Sequence, residues 1–73
     1  MNCLSQLKPG ECGEVIRLSG ENGIKRRLED LGLVEGTRVK CIQRSALGDP
    51  TAYSIRGAVI ALREEDCLNI IIK

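Results

Sequence analysis

The pattern of apolar and polar positions predicts one short amphipathic helix among β-strands. Ile24, Leu28 and Leu31 recur at helical spacing and define one face of a segment covering about residues 23–31. Charged side chains fill the opposite face. Gly32 follows where a helix end favours a residue without Cβ, so the helix is expected to stop there. Because so short a helix is unstable alone in water, it must pack on the rest of the chain.

Most of the remaining chain is predicted to form strands. Alternating or β-branched runs, separated by turn residues such as Gly48-Asp49-Pro50, indicate about five of them. Five strands joined by short turns can curl into a small barrel, and closure would remove exposed sheet edges. The predicted fold class is therefore mainly β, a small barrel of about five strands with one inserted helix, in a single domain over residues 1–73. The expected strands are 11–18, 36–44, 51–56, 58–63 and 68–73.

The predicted core is aliphatic, since the chain contains one Tyr and no Trp or Phe. Such a core leaves little room for a deep ligand cavity. Cys41 and Cys67 are expected to act as small core hydrophobes, and Cys3 is expected to be the most exposed thiol. Leu68 is expected to share the inner face of the last strand. The other apolar positions expected in the core are Val15, Ile24, Leu28, Leu31, Leu33, Val39, Ile55, Ile60, Leu62, Ile70 and Ile72.

Charge is distributed unevenly although the net charge is only +1. Residues 36–63 carry five Lys or Arg and one Asp, a balance of +4. This basic stretch is either a solvated strand face or a surface for an acidic partner. Nucleic acid is an alternative partner, but proteins that bind single strands stack bases on aromatic side chains, and Tyr53 is the one aromatic residue here.

Composition argues against catalysis and against a resident cofactor. The chain has no His, the usual acid–base residue near neutral pH, and it lacks the glycine-rich motifs that cradle nucleotides. Its four cysteines include no pair at the close spacing typical of zinc sites, so a Cys-based transition-metal site is only an alternative. The 73 residues contain neither a signal-peptide core nor a membrane-length apolar run, which predicts a cytoplasmic protein with reduced thiols.

Protein–protein contact is the function class that remains. Tyr53 has two interpretations, because it is either exposed at one end of the barrel or a core aromatic with its hydroxyl at the rim. The charged residues of the helix are likewise either solvated or in contact with an acidic partner. The predicted partner-binding residues are Leu47, Pro50 and Tyr53 around the β-turn, and Lys25, Arg26 and Arg27 on the polar face of the helix.

Two stretches of the chain form a recognisable pattern. The first is RLEDLGLVEGTRV at residues 27–39, which follows the turn Lys8-Pro9-Gly10. The second joins the Gly48-Asp49-Pro50 loop to GAVIALREE at residues 57–65. Together they resemble the FeoA family, and the similarity extends over residues 4–72. The resemblance implies structural roles for Gly10, Leu28, Leu31, Gly32, Gly36, Gly57 and Leu62.

The resemblance also implies a fold and a function. It implies an SH3-like barrel with an inserted helix, and a non-enzymatic accessory role in bacterial ferrous-iron uptake. The implied partner is the membrane transporter FeoB, which has a GTP-hydrolysing cytoplasmic domain, and membrane contact is expected only through that partner. No catalytic residue, metal ligand or cofactor is carried over. Weak self-association is a further expectation, since small barrels with spare strand edges can pair.

Overall fold

A computed structural model describes residues 2–73 of the chain. This part of the chain contains six β-strands, two α-helices and a 3-10 turn at Leu4–Gln6. The strands are β1 (Asn2–Cys3), β2 (Cys12–Leu18), β3 (Arg38–Arg44), β4 (Thr51–Ile55), β5 (Ala58–Leu62) and β6 (Ile70–Ile72). The helices are α1 (Asn22–Asp30) and α2 (Glu64–Cys67).

The strands form an antiparallel sheet in the order β1-β6-β2-β3-β4-β5. Strand β2 joins the two halves of the sheet, because residues 12–14 pair with β3 whereas residues 15–18 pair with β6. A register shift between Val15 and Arg17 interrupts the ladder between β2 and β6, and such bulges bend a strand. The mainly β architecture, with a nine-residue helix inserted between β2 and β3, confirms the predicted fold class.

The edges of the sheet differ from the prediction. The sixth strand, β1, is not indicated by the sequence pattern. Within residues 2–73, the outermost strands β1 and β5 do not pair with each other, so the expected closure of the barrel is wrong. The two residues of β1 are paired with β6 instead. Strand β5 therefore keeps one unpaired edge, which is the kind of edge that proteins normally protect.

The core is aliphatic, as predicted, and it includes the single Tyr. Cys41 and Cys67 are buried within it, which confirms their predicted place as small core hydrophobes. Leu4 and Leu7, from the N-terminal segment, are also buried, although the sequence pattern does not place them in the core. The predicted core residues found buried are Val15, Leu28, Leu33, Val39, Ile55, Leu62, Ile70 and Ile72.

Four predicted core positions lie nearer the surface. Leu31 is 36% exposed because it caps α1 rather than lying within it, so its predicted core position is wrong. Leu68 is 55% exposed because it ends α2 and precedes β6, and its predicted position is also wrong. Ile24 and Ile60 are half-buried and pack against the margin of the core.

The end of α1 follows the prediction closely. Gly32 has φ +97°, a left-handed conformation that suits a residue without Cβ. Its N–H donates to the carbonyl of Glu29 (2.9 Å), and the N–H of Leu33 donates to the carbonyl of Leu28 (3.1 Å). These two hydrogen bonds form a Schellman motif, which also brings the buried side chains of Leu28 and Leu33 together. Positive φ is also found at Gly10, Gly36 and Gly57.

Candidate partner-binding surface

The side chains of β3, β4 and β5 that point away from the core form one surface, here called the outer face. Cross-strand pairing among β3, β4 and β5 arranges the side chains of this face in rows. The small size of Ala52, Ser54 and Ala61 leaves the centre of this surface shallow. One row contains Gln43, Ala52 and Ala61, and the next contains Lys40, Ser54 and Val59.

One end of the outer face is a shallow apolar groove of about 230 Å³. Pro50, Ala52 and Ala61 supply its apolar lining. Within the described residues the hydroxyl oxygen of Ser45, which also lines the groove, is buried without a hydrogen-bond partner. Most buried hydroxyls have such a partner, so Ser45 is an exception to that pattern. The remaining lining residues are Gln43 and Arg44.

The loop between β3 and β4 lies beside this groove and carries Leu47 at its tip. The loop is closed by two backbone hydrogen bonds, from the Ser45 N–H to the Pro50 carbonyl (3.1 Å) and from the Gly48 N–H to the Ser45 carbonyl (2.9 Å). A carboxylate oxygen of Asp49 also accepts a hydrogen bond from the backbone N–H of Glu64 (3.0 Å). Leu47 is 95% exposed on this braced loop, so its side chain is free to contact another molecule.

The other end of the outer face is basic. Arg38, Lys40 and Arg56 line an open depression of about 490 Å³, together with the exposed Cys12. None of these three cations forms an ion pair within residues 2–73. Glu14 lies opposite Arg38 in the strand register and offsets part of this charge. The outer face therefore combines an apolar end with a positive end, a combination suited to a partner with apolar and acidic groups.

Tyr53 does not belong to this surface, and its predicted place among the partner-binding residues is wrong. Its side chain is 1% exposed because β4 turns Tyr53 toward the core along with Ile55. The Tyr53 hydroxyl lies 3.5 Å from the carbonyl oxygen of Leu4, to which it donates, and it accepts a hydrogen bond from the Cys67 thiol, also at 3.5 Å. The structure supports the alternative interpretation, a core aromatic, except that the Tyr53 hydroxyl is buried and not at the rim of the barrel.

The predicted helix residues lie apart from the groove. Arg27 forms an ion pair with Asp66 of α2. Lys25 is half-buried, and Arg26 is exposed. Of the six predicted partner-binding residues, Pro50 lines the groove and Leu47 lies exposed in the loop beside it, whereas Arg27 forms an ion pair within the chain.

Sequence reasoning missed the apolar residues of the outer face. Val59 is 69% exposed, and Ile42, which lies where the register between β3 and β4 shifts, is 40% exposed. One signal was available, because β5 has the sequence AVIAL without a polar residue, although only Leu62 is buried in it. A strand that is apolar on both faces is either buried on both sides or exposes an apolar face. The sequence alone does not distinguish these cases.

The thiols fall into two groups. Cys41 and Cys67 are buried, and burial raises the pKa of the Cys67 thiol to about 11 and also raises that of Cys41, which disfavours the thiolate that binds metals. Cys12 is the exposed thiol, whereas Cys3 is half-buried, so the prediction for Cys3 is wrong. Within residues 2–73 there is no group of three or more His, Cys, Asp or Glu side chains that could hold a metal ion.

Comparison with solved structures assigns this arrangement to the class of small SH3-like β-proteins. The FeoA of Stenotrophomonas maltophilia complexed with zinc, a prokaryotic SH3 domain protein, has the same fold, with a TM-score of 0.87 at 23% identity over 100% of this chain and 91% of that chain. The FeoA protein of Chlorobium tepidum is 35% identical, with a TM-score of 0.89 over 97% of this chain and 68% of that chain.

The chain belongs to the FeoA family, because the FeoA domain model of that family matches residues 2–73. It is also 31% identical, over 67 residues, to the Fe(2+) transport protein A/Fe(2+) transporter FeoB fusion protein of Porphyromonas gingivalis. That match covers 92% of this chain but 8% of the fusion protein. In residues 2–73, neither helix is long and apolar enough to cross a membrane.

Proposed function

We propose that the chain is a non-enzymatic, cytoplasmic accessory protein of ferrous-iron uptake that binds the cytoplasmic part of an FeoB-type transporter. The observation that carries this proposal is the Porphyromonas gingivalis relative, in which a similar FeoA sequence is fused with the transporter FeoB. Two modules fused in one protein act close together, so separate modules of the same kind are expected to associate.

The outer face supports a role in binding. Leu47 supplies an exposed apolar anchor, and the groove beside Pro50 offers a complementary concave surface. Interfaces are commonly anchored by a few such apolar contacts and surrounded by polar groups. The positive end, with Lys40 and Arg56, would guide an acidic surface of the transporter into place.

A binding measurement with matched leucine variants tests this proposal. Leu47→Ser removes the anchor on the loop, whereas Leu68→Ser removes an equally aliphatic side chain, 55% exposed, from the end of α2. With the purified cytoplasmic domain of an FeoB-type transporter, isothermal titration calorimetry should show binding by the parent chain and by Leu68→Ser. Leu47→Ser should bind at least about tenfold more weakly, as expected for loss of a hot-spot residue. Equal affinity for the two variants would exclude the loop, and no binding by the parent would exclude the proposal.

Nucleic-acid binding is the second candidate, and the basic depression formed by Arg38, Lys40 and Arg56 favours it. Against it, Tyr53 is buried and cannot stack on a base. We expect no retention of single-stranded DNA or RNA by the chain in a filter-binding assay at physiological salt. Tight binding that falls steeply as salt is added would favour this second candidate over the transporter.

A further inference from the structure

Within residues 2–73, the edge of β5 that faces away from β4 has no strand partner, so its backbone hydrogen-bonding groups are free. Arg56 and Gly57, with φ values of 51° and 83°, form a two-residue turn of type I′ that closes the hairpin between Ile55 and Ala58. In such a hairpin the closing pair exchanges hydrogen bonds, and alternate residues along the strand follow it. Ala58, Ile60 and Leu62 therefore bond to β4. The backbone N–H and C=O groups of Val59 and Ala61, which lie between these residues, point away from β4.

We propose that this edge is a self-recognition site at which two copies of the chain pair β5 with β5 in antiparallel orientation. The two-fold axis passes beside Ile60. Val59 of each copy then lies opposite Ala61 of the other copy, and each of these two pairs exchanges two N–H···O=C hydrogen bonds. Because the same surface is used on both copies, the contact closes as a dimer and cannot extend into a fibre.

The side chains of β5 favour a second copy over an unrelated strand. Ile60, which is half-buried at the margin of the core, meets Ile60 of the second copy on the inner side of the joined sheet. On the outer side, the exposed Val59 meets Ala61 of the second copy. Both sides gain apolar cross-strand pairs, which stabilise antiparallel sheets. Strand β5 also contains no Lys, Glu or Pro, the residues that proteins use to prevent pairing at an edge.

The charges just beyond the two ends of β5 favour this register over one centred on Val59. Arg56, in the turn before β5, and Glu64, at the start of α2 after it, are each four positions from Ile60, so in this dimer each Arg56 lies at the same end of the paired strands as Glu64 of the other copy. Neither residue has an ion-pair partner within residues 2–73. A register centred on Val59 would instead place Arg56 opposite Leu62. Of these two registers, the one centred on Ile60 brings two pairs of opposite charge together, and such pairs favour cross-strand association.

The first test compares two substitutions of β-branched residues on the outer face. Val59→Lys places a charge on the edge strand, whereas Ile42→Lys places the same charge on β3, two strands away from that edge. Sedimentation equilibrium from micromolar to millimolar concentration should show the parent and Ile42→Lys passing from one chain to two. Val59→Lys should raise the dimer dissociation constant by about tenfold or more. Thermal melts would check that both variants are folded.

The second test addresses the register. Arg56→Glu alone creates two pairs of acidic residues in the dimer, and Glu64→Arg alone creates two pairs of basic residues, so each variant should dimerise more weakly than the parent. When the two variants are mixed, both charge pairs are restored in the heterodimer. The mixture should therefore associate with nearly the parent's dissociation constant, and the gain should diminish as salt is added.

Three results would overturn the proposal. The first is a parent chain that remains monomeric at millimolar concentration. The second is equal weakening by Val59→Lys and Ile42→Lys, which would move the contact away from the edge. The third is a mixture of the charge variants that associates no better than either variant alone.

A monomeric parent whose Val59→Lys variant loses affinity for the transporter domain would assign the edge to the transporter instead. Because dimerisation is measured without the transporter, its failure and the failure of the proposed function are distinguishable.

Discussion

At the scale of single residues, the buried pair of Tyr53 and Cys67 shows how this small core accommodates polar groups. The Tyr53 hydroxyl has partners in the carbonyl of Leu4 and the thiol of Cys67, so neither side chain is buried without a hydrogen bond. Burial is also the main reason that the pKa values of both residues are raised, because the charged form would lose hydration. The pair therefore adds packing at neutral pH but opposes folding when the groups ionise.

This residue pair predicts a loss of stability in alkaline solution. Between pH 9 and pH 11 the Cys67 thiol ionises in the unfolded chain but keeps its proton in the folded chain, so the free energy of unfolding falls as the pH rises. Below pH 9 this contribution is fully present. Cys67→Ala should reduce the slope in that window by up to one proton, about 1.4 kcal/mol per pH unit. Urea denaturation at a series of pH values measures the slope.

Val15→Ala is the control for this alkaline experiment, because it removes buried apolar volume without removing an ionisable group. It should lower stability by the same amount at each pH and keep the slope of the parent. A slope unchanged in Cys67→Ala would show that the thiol does not titrate between the two states as proposed.

At the scale of single elements, α1 is better capped at its C-terminus than at its N-terminus. Among the residues that the structure describes, no side chain caps its N-terminus, where Glu21 is the N-cap residue. Its C-terminus, by contrast, is closed by the Schellman motif at Gly32, and Leu28 and Leu33 on either side of that glycine are both buried in the core. The position of α1 is thus determined mainly by how it ends, and the stop at Gly32 could be predicted because glycine readily adopts the left-handed conformation of this helix end.

Two glycine substitutions within and beside α1 are expected to have opposite effects. Gly32→Ala should cost about 1–2 kcal/mol, because an L-residue is strained in the left-handed region. Its Cβ would also lie 3.2 Å from Cδ of Arg56. Gly23→Ala lies in the first turn, where a Cβ meets nothing within 4 Å in the described part of the chain, and it should stabilise the fold by about 0.5–1 kcal/mol. Urea midpoints compare the two, and a Gly32→Ala variant as stable as the parent would contradict this account of the helix end.

At the scale of the whole molecule, α2 connects parts that are distant in sequence. Its first N–H, at Glu64, is bound by Asp49 of the β3–β4 loop. Asp66 pairs with Arg27 of α1, and Cys67 fills space in the core. A four-residue helix thus braces the loop of the proposed binding surface against α1. The two elements predicted to bind a partner, the loop that carries Leu47 and helix α1, are linked through α2, although they do not form one surface.

The core itself depends strongly on Leu28, the one buried residue of α1 in the described structure. Leu28→Ala should cost about 2–5 kcal/mol, the range found for truncation of buried leucines. A domain of this size has little stability to spare, so a large fraction of the Leu28→Ala molecules is expected to be unfolded at moderate urea concentration. Leu68→Ala, at a side chain 55% exposed, is the control and should change the free energy of unfolding by no more than about 0.5 kcal/mol. Equal urea midpoints would show that α1 does not rely on Leu28.

The candidate site was predictable only in part. Leu47 and Pro50 could be placed because they flank Gly48-Asp49, a turn whose backbone preferences are local. Tyr53 and Val59 could not, since each lies in a strand whose two faces are both rich in apolar or small residues. Which face such a strand buries depends on its neighbours in the sheet and not on its own pattern.

The sequence by itself determined the local features of this protein: the helix ending at Gly32, the alternation of Val39 and Cys41 with charged residues in β3, and the turn at Asp49. These features follow from backbone conformations and from the spacings of 3.6 and two residues, which act over a few positions. The tertiary structure alone decided that Tyr53 is buried beneath Leu4, that Arg27 pairs with α2 and that β5 keeps a free edge. Each of these outcomes depends on segments far apart in sequence meeting in space, and no local pattern carries that information.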